Sequence, residues 1–118
     1  MISYIKGEVI KTVLGKDTYV DILTSCGIGY RVYIPSSYSI SEKEVSLYTY
    51  QHIREDAQTL YGFKCEEDKN IFEKLIGVSG IGPKIALTVI STYSLTELDK
   101  IINEGDAKTL SKVSGLGL

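Results

Sequence analysis

The sequence predicts an α+β chain in which an all-β half comes first and an all-α half follows. Over residues 1–63, β-branched and aromatic residues alternate with polar ones and are separated by short turn segments, which is typical of strands. After Lys64 the apolar residues recur at three- and four-residue spacing, which is typical of helices. The sequence therefore predicts two domains, residues 1–63 and residues 64–118.

Five short strands are expected in the first domain, at residues 2–14, 18–23, 30–34, 45–53 and 59–63. Glycine-containing turns separate the first three strands, Pro35 ends the third, and a polar connection leads to the fourth. We expect all five strands to pair antiparallel. A set of five such strands suits a small closed barrel, for which the OB-fold is the leading candidate.

The first two expected helices flank a glycine hairpin. An acidic cluster at residues 66–68 suits a helix N-terminus, and Gly77 ends that helix. Pro83 opens the next helix, since proline is preferred at the first helical position. Between them, residues 78–82 read Val-Ser-Gly-Ile-Gly. We expect Ile81 to plug the core between the helices while backbone amides of the turn face outward.

The same pattern recurs at residues 113–117, with leucine in place of isoleucine. It follows two further expected helices, one opened by a capping box of Ser94 and Glu97 and a short one that begins at Gly105. The second hairpin needs a following helix to close its core, and the sequence stops at Leu118. We therefore expect the second motif to be incomplete and the chain to be part of a longer protein.

A glycine hairpin that leads into a helix N-terminus suits a phosphate group, and this arrangement is typical of a helix-hairpin-helix DNA-binding motif. Two copies favour phosphate binding over a tight turn that serves helix packing alone. Backbone amides and serine hydroxyls would hold the phosphate, a lysine would add a charge-assisted contact, and such contacts read no base sequence. The expected phosphate-binding residues are Ser79, Gly80, Gly82 and Lys84 in the first hairpin and Ser114, Gly115 and Gly117 in the second.

Composition and spacing exclude several other classes. The net charge of -2 argues against a uniformly basic nucleic-acid-coating protein, although local amides and lysines suffice for phosphate binding. Two cysteines and one histidine are too few for a zinc site, so no metal or cofactor is expected. Pro83 after the last glycine breaks the phosphate-loop pattern of nucleotide hydrolases. No apolar run reaches the ~20 residues that span a bilayer and no signal peptide is present, so we expect a cytoplasmic protein without membrane contact.

Two adjacent carboxylates, Glu55 and Asp56, lie in the expected loop between the last two strands. One interpretation is a solvated turn. The functional interpretation is an acidic pin that repels the DNA backbone and favours strands that part around it. A catalytic metal site would need further ligands, and none is close in sequence. The chain is therefore not expected to be an enzyme.

The nine tyrosines fall mostly at expected strand positions. Tyrosines on a barrel can form a platform on which single-stranded bases stack. Basic residues are not regularly interleaved with these tyrosines, however, and tyrosine is also an ordinary strand residue. Packing in the core or at a subunit interface is therefore the favoured role.

Four segments together resemble the RuvA family, at residues 1–7, 27–32, 54–63 and 80–87. The third, Arg-Glu-Asp-Ala-Gln-Thr-Leu-Tyr-Gly-Phe, is the most specific, because other helix-hairpin-helix proteins share the glycine hairpin but not this decapeptide. The resemblance extends over the whole chain. It implies recognition of Holliday junctions for branch migration in recombination and DNA repair.

The resemblance also implies how the parts are used. An OB-fold domain would form a homotetramer whose flat surface receives the four arms of a four-way DNA junction. Glu55 and Asp56 would form the acidic pin at the junction centre, once per subunit, and the hairpins would hold the arms. The chain would guide strands without breaking bonds.

Partners follow from the same resemblance. The RuvB ATPase would drive branch migration, and the RuvC resolvase would act on the same junction. Because the family's third domain, which docks the motor, lies outside residues 1–118, RuvB docking is not expected for this chain. Two alternatives stay open: a non-catalytic interaction or oligomerisation module with no DNA role, and a nuclease that uses Glu55 and Asp56.

Overall fold

The computed structural model describes residues 1–93 and 96–98. Its strands are β1 (Tyr4–Val13), β2 (Tyr19–Leu23), β3 (Gly29–Tyr33), β4 (Glu44–Ile53) and β5 (Gln58–Phe63), and its helices are α1 (Glu66–Ile76) and α2 (Pro83–Thr92). All seven elements agree closely with the sequence prediction. The expected third helix is described only at residues 96–98, which are helical, whereas Ser94 of its capping box and the fourth helix lie outside the described residues.

The five strands close into a barrel in the order β1-β2-β3-β5-β4, which is the order of an OB-fold. The barrel closes because β1 pairs with both of its neighbours, β4 through residues 4–8 and β2 through residues 8–13. The register of the second pairing shifts between Val9 and Lys11. Such an irregularity bends a strand, and here it lets one strand turn from one neighbour to the other.

One expectation from the sequence is wrong, because not every strand pair is antiparallel. β3 and β5 pair parallel, with Val32 opposite Leu60 and Tyr33 opposite Tyr61. These two strands are not consecutive: β4 lies between them in the chain and pairs antiparallel with β5. Since β3 and β5 meet only when the barrel closes, the alternation within each strand could not reveal their relative direction.

The inside of the barrel is filled by one cluster of apolar side chains. Alternate residues of each strand point inward, as the two-residue period of a strand requires. The buried members of the barrel core are Ile5, Val20, Ile22, Val32, Ile34 and Leu47. Five of these side chains are fully buried, so the barrel has a complete core of its own.

A second core lies between the outer face of the barrel and the helices. Phe72 of α1 is fully buried there, with its ring centroid 4.9 Å from that of Phe63, 5.3 Å from that of Tyr61 and 5.6 Å from that of Tyr50. The same cluster contains Leu75, Ile81, Ala86, Val89, Ile90 and Leu98. Residues of the expected first domain thus form part of the core of the helical unit.

Tyrosines form a row across four neighbouring strands of the barrel. Tyr19 lies opposite Tyr33, Tyr33 opposite Tyr61, and Tyr61 opposite Tyr50. Tyr61 is buried and the other three are half-buried. Helix α1 covers the end of the row that contains Tyr50 and Tyr61, so for these two tyrosines the favoured role in packing is confirmed.

The loop before β4 is tied to the start of α1 through Tyr38. The Tyr38 hydroxyl donates to the Asp68 carboxylate and accepts from the Lys64 N–H at 3.3 Å. Burial and the hydrogen bond to Asp68 raise the pKa of Tyr38 well above its usual range, which keeps the hydroxyl protonated as a donor. The Lys64 ammonium also donates to the Ser39 carbonyl at 2.9 Å.

No helix in the described part of the chain has the length and apolar character needed to cross a bilayer.

Gly62 should be intolerant of a side chain. A Cβ at this position would lie 2.5 Å from Val32 Cγ1 and 3.0 Å from Leu47 Cδ1, both in the barrel core. We expect Gly62→Ala to lower the free energy of unfolding by about 1–3 kcal/mol, measured by urea denaturation, because a close-packed core cannot absorb the methyl group. Gly29→Ala is the matched control, since no atom lies within 4 Å of its Cβ position. Equal effects of the two substitutions would contradict this account of β5.

Candidate nucleic-acid interface

A glycine hairpin joins α1 to α2. The Gly77 N–H donates to the Lys74 carbonyl at 3.2 Å and ends α1, and the Ile81 N–H donates to the Val78 carbonyl at 3.1 Å within the turn. Gly80 has a φ of +86°, a left-handed conformation that side chains with a Cβ rarely adopt. Ile81 is only 6% exposed and packs in the helix core, so the sequence prediction that it acts as a core plug is confirmed.

The outer side of this turn presents backbone donors. The amides of Ser79, Gly80 and Gly82 have no hydrogen-bond partner in the part of the chain that the structure describes. Gly82 is the N-cap of α2, with extended backbone (φ -90°, ψ 175°), and its carbonyl accepts from the Ala86 N–H at 2.9 Å. The first turn of α2 contains no acidic residue and no side chain caps it. Free donors and an uncompensated helix dipole make this end of α2 attractive to an anion.

Lys84 stands in the first turn of α2, and its side chain is 72% exposed. Its ammonium Nζ lies 3.4 Å from Oδ1 of Asp17, in the turn between β1 and β2. The sequence predicted Lys84 as a phosphate contact but not this ion pair. Asp17 stands in a glycine-containing turn, where an aspartate needs no partner, so no local pattern pointed to it.

The structure brings four of the predicted phosphate-binding residues together. Ser79 and Gly80 are exposed on the turn, and Gly82 and Lys84 follow at the N-terminus of α2. Their role in binding phosphate stays a prediction. The predicted contacts of the second hairpin, Ser114, Gly115 and Gly117, lie outside the described residues.

The predicted acidic pin lies at the tip of the β4–β5 hairpin. Ile53 pairs with Gln58 as the last pair of the ladder, and the Arg54 N–H donates to the Ala57 carbonyl at 2.8 Å across the loop. Glu55 and Asp56 are both exposed, and neither forms an ion pair with another described residue. Within residues 1–93 and 96–98, no three His, Cys, Asp or Glu side chains lie close enough together to hold a metal ion. The tip therefore presents two exposed carboxylates to solvent, next to the exposed Arg54.

Barrel and hairpin together define a class of protein. A closed OB-type barrel with a helix-hairpin-helix unit on its outer face is an architecture of nucleic-acid-binding proteins. Residues 1–62 match the RuvA N terminal domain, and residues 72–118 match the SAM-like Helix-hairpin-helix tandem. The chain belongs to the RuvA family, and the resemblance drawn from its four segments is confirmed.

Full-length relatives agree with this assignment. The Holliday junction branch migration complex subunit RuvA of Salinibacter ruber is 39% identical over 99% of this chain and 58% of its own length. The proteins of the same name from Thermodesulfovibrio yellowstonii and Acetivibrio thermocellus are each 40% identical over 99% of this chain, and over 61% and 58% of their own lengths. The chain thus spans about three fifths of the length of these curated relatives.

The two hairpin glycines should respond differently to alanine. At Gly80 the positive φ penalises any Cβ, and we expect Gly80→Ala to lower the free energy of unfolding by about 1–2 kcal/mol. At Gly82 the backbone is extended and no atom lies within 4 Å of the Cβ position. We therefore expect Gly82→Ala to change the free energy of unfolding by less than about 0.5 kcal/mol. Urea unfolding of both variants measures the difference, and a larger loss at Gly82 would contradict the turn geometry.

Proposed function

We propose that this chain binds four-way (Holliday) DNA junctions as the non-catalytic, DNA-binding part of a branch-migration complex. The observation that carries the proposal is the first hairpin, where the free amides of Ser79, Gly80 and Gly82 stand beside Lys84 at the N-terminus of α2. Membership of the RuvA family supports it, since relatives at about 40% identity are named as subunits of the Holliday junction branch migration complex.

The hairpin would hold one phosphate of the DNA backbone. Amide N–H groups suit phosphate oxygens, and without a Cβ at Gly80 and Gly82 the backbone can come close to the phosphate. The Ser79 hydroxyl and the Lys84 ammonium would add a neutral and a charged donor. Every one of these contacts goes to the backbone and none to a base edge, so selectivity must come from the shape of the DNA.

The acidic tip would supply that selectivity for shape. Glu55 and Asp56 carry two negative charges on a short, closed loop at the end of two long paired strands. A continuous duplex that crosses this tip would place its phosphates against the carboxylates, which is unfavourable. Strands that part at a junction centre can pass on either side of it. The tip therefore penalises plain duplex more than it penalises a junction.

We further propose that the working form is a homotetramer, with hairpins facing the four arms and four tips at the centre. Several apolar side chains are exposed on the barrel and suit subunit contacts, namely Ile10, Leu14, Ile28 and Ile53, between 49% and 74% exposed. The RuvB ATPase would supply the motor and the RuvC resolvase would cut the junction, both in the cytoplasm. The chain itself would hold the junction open during recombination and repair.

Lys84→Glu should weaken binding to all DNA. The substitution removes one charged phosphate contact per subunit and replaces it with a repulsive carboxylate. We expect affinity for a four-way junction and for duplex of the same sequence to fall by tenfold or more, with a shallower dependence on salt, because each lost phosphate contact lowers the slope by about 0.9. Gel-shift titrations across a salt series measure both quantities.

The matched control for this experiment is Lys43→Glu, an equal charge reversal at an exposed residue before β4. Equal losses at Lys43 and Lys84 would contradict a specific phosphate contact in the hairpin. An intact oligomer that binds neither junction nor duplex at low salt would instead support the pure interaction module.

Neutralising the acidic tip should relax discrimination. In the double variant Glu55→Gln and Asp56→Gln the repulsion of duplex phosphates is lost, so we expect duplex to bind more tightly and the junction-to-duplex affinity ratio to fall about tenfold. The double variant Glu8→Gln and Glu44→Gln is the control, with the same change in net charge at two exposed residues that lie opposite each other in the β1–β4 ladder.

An unchanged junction-to-duplex ratio in the tip variant would remove the pin from the mechanism. The same preparations, incubated with magnesium and labelled junction, test the nuclease alternative. Cleavage by the unmodified chain that disappears in the tip variant would overturn the non-catalytic assignment.

A further inference from the structure

We propose that Asp17 holds Lys84 in the DNA-free protein and competes with DNA phosphate for its ammonium, so that Asp17 sets the affinity of the first hairpin. This inference rests on the proposed function, because it assumes that the hairpin receives a phosphate. It adds a residue of the barrel to a binding site that would otherwise consist of the helical unit alone.

The ion pair joins two elements that are far apart in the chain. Lys84 Nζ lies 3.4 Å from Asp17 Oδ1, with the two side chains 72% and 45% exposed. Among the described residues, Lys84 forms no other ion pair. The pair lines a small groove between the β1–β2 turn and α2, whose other lining residues are both polar, such as Lys16 and Thr88, and apolar, such as Ile34 and Leu87.

The turn that carries Asp17 is held in place. The next residue, Thr18, is 5% exposed, and its hydroxyl donates to the Gly15 carbonyl at 3.3 Å. The Thr18 carbonyl accepts from the Ile34 N–H at 3.0 Å, which ties the turn to the end of β3. The position of Asp17 therefore follows from the barrel and does not depend on the ion pair.

Helix α2 is held against the same part of the barrel. The Ser91 hydroxyl donates to the Leu87 carbonyl at 2.9 Å and accepts from the Ser37 N–H at 3.4 Å. On its inner face Ala86 and Val89 are fully buried in the helix core. Asp17 and the first turn of α2 are thus held near each other by contacts other than the ion pair.

When a phosphate reaches the hairpin, the Lys84 ammonium is already paired with the Asp17 carboxylate. The ammonium can stay with Asp17 or turn toward the phosphate, and the carboxylate repels the phosphate in either case. Exposed ion pairs are weak, so the exchange is easily reversed. Removal of the Asp17 charge should therefore tighten binding by about twofold to fivefold at low salt, which is the range that exposed ion pairs span.

The experiment is a double-mutant cycle on Asp17→Asn and Lys84→Met, read by gel-shift affinity for a four-way junction and for duplex. We expect Asp17→Asn to tighten binding to both DNAs about twofold to fivefold, and to lose most of this effect in the Lys84→Met background. Glu8→Gln is the matched control, since it removes one exposed carboxylate from β1 at the end of the β1–β2 ladder away from the turn. It should tighten binding less.

Three results separate the inference from the proposed function. If Lys84→Met weakens binding but Asp17→Asn gains no more than Glu8→Gln, the competition is refuted and phosphate binding by the hairpin stands. If Asp17→Asn tightens DNA binding equally in the Lys84 and the Lys84→Met backgrounds, the competition is also refuted. The gain in affinity then comes from the general loss of a negative charge. If no variant binds either DNA, the proposed function fails and the competition fails with it.

Discussion

The arrangement of this molecule depends on the contact between Phe72 of α1 and the outer face of β4 and β5. The barrel core is complete without the helices, but Tyr50, Tyr61 and Phe63 would then present their rings to water. Phe72 covers all three, and a buried aromatic of this kind is worth about 3–5 kcal/mol relative to alanine. This contact fixes α1 on the barrel, and α1 in turn fixes the hairpin and α2.

The β4–β5 hairpin consequently has two uses at opposite ends. Near Phe63 it forms the floor on which the helical unit packs, and beyond Ile53 it forms the acidic loop. The two strands stay paired over six residue pairs between these ends. Under the proposed function, the spacing between a held phosphate and the acidic tip is therefore set by one paired element of the barrel, and no loop has to close on the DNA to establish it.

The sequence predicted those features whose determinants are local. Pro83 marks the start of α2 and Gly77 the end of α1 because each acts on its own backbone, and the alternation of strand residues gave five strands. Ile81 was found as a core plug because its two flanking glycines define the turn. The parallel pairing of β3 with β5 was missed because it depends on barrel closure, and the Asp17–Lys84 pair was missed because it joins residues with no common local pattern.

Under the proposed function, this chain would bind DNA although its net charge is acidic, and that charge would shape the binding. Backbone amides are dipoles that attract phosphate at contact distance but contribute little long-range attraction, unlike a basic surface. A chain with net charge -2 therefore gains little from any nearby duplex. In the competition that we propose, Asp17 would lower that attraction further by pairing with Lys84. Under the proposed function, binding would then require several hairpins to reach phosphates at once, which a four-armed junction on the proposed tetramer would provide and an isolated duplex would not.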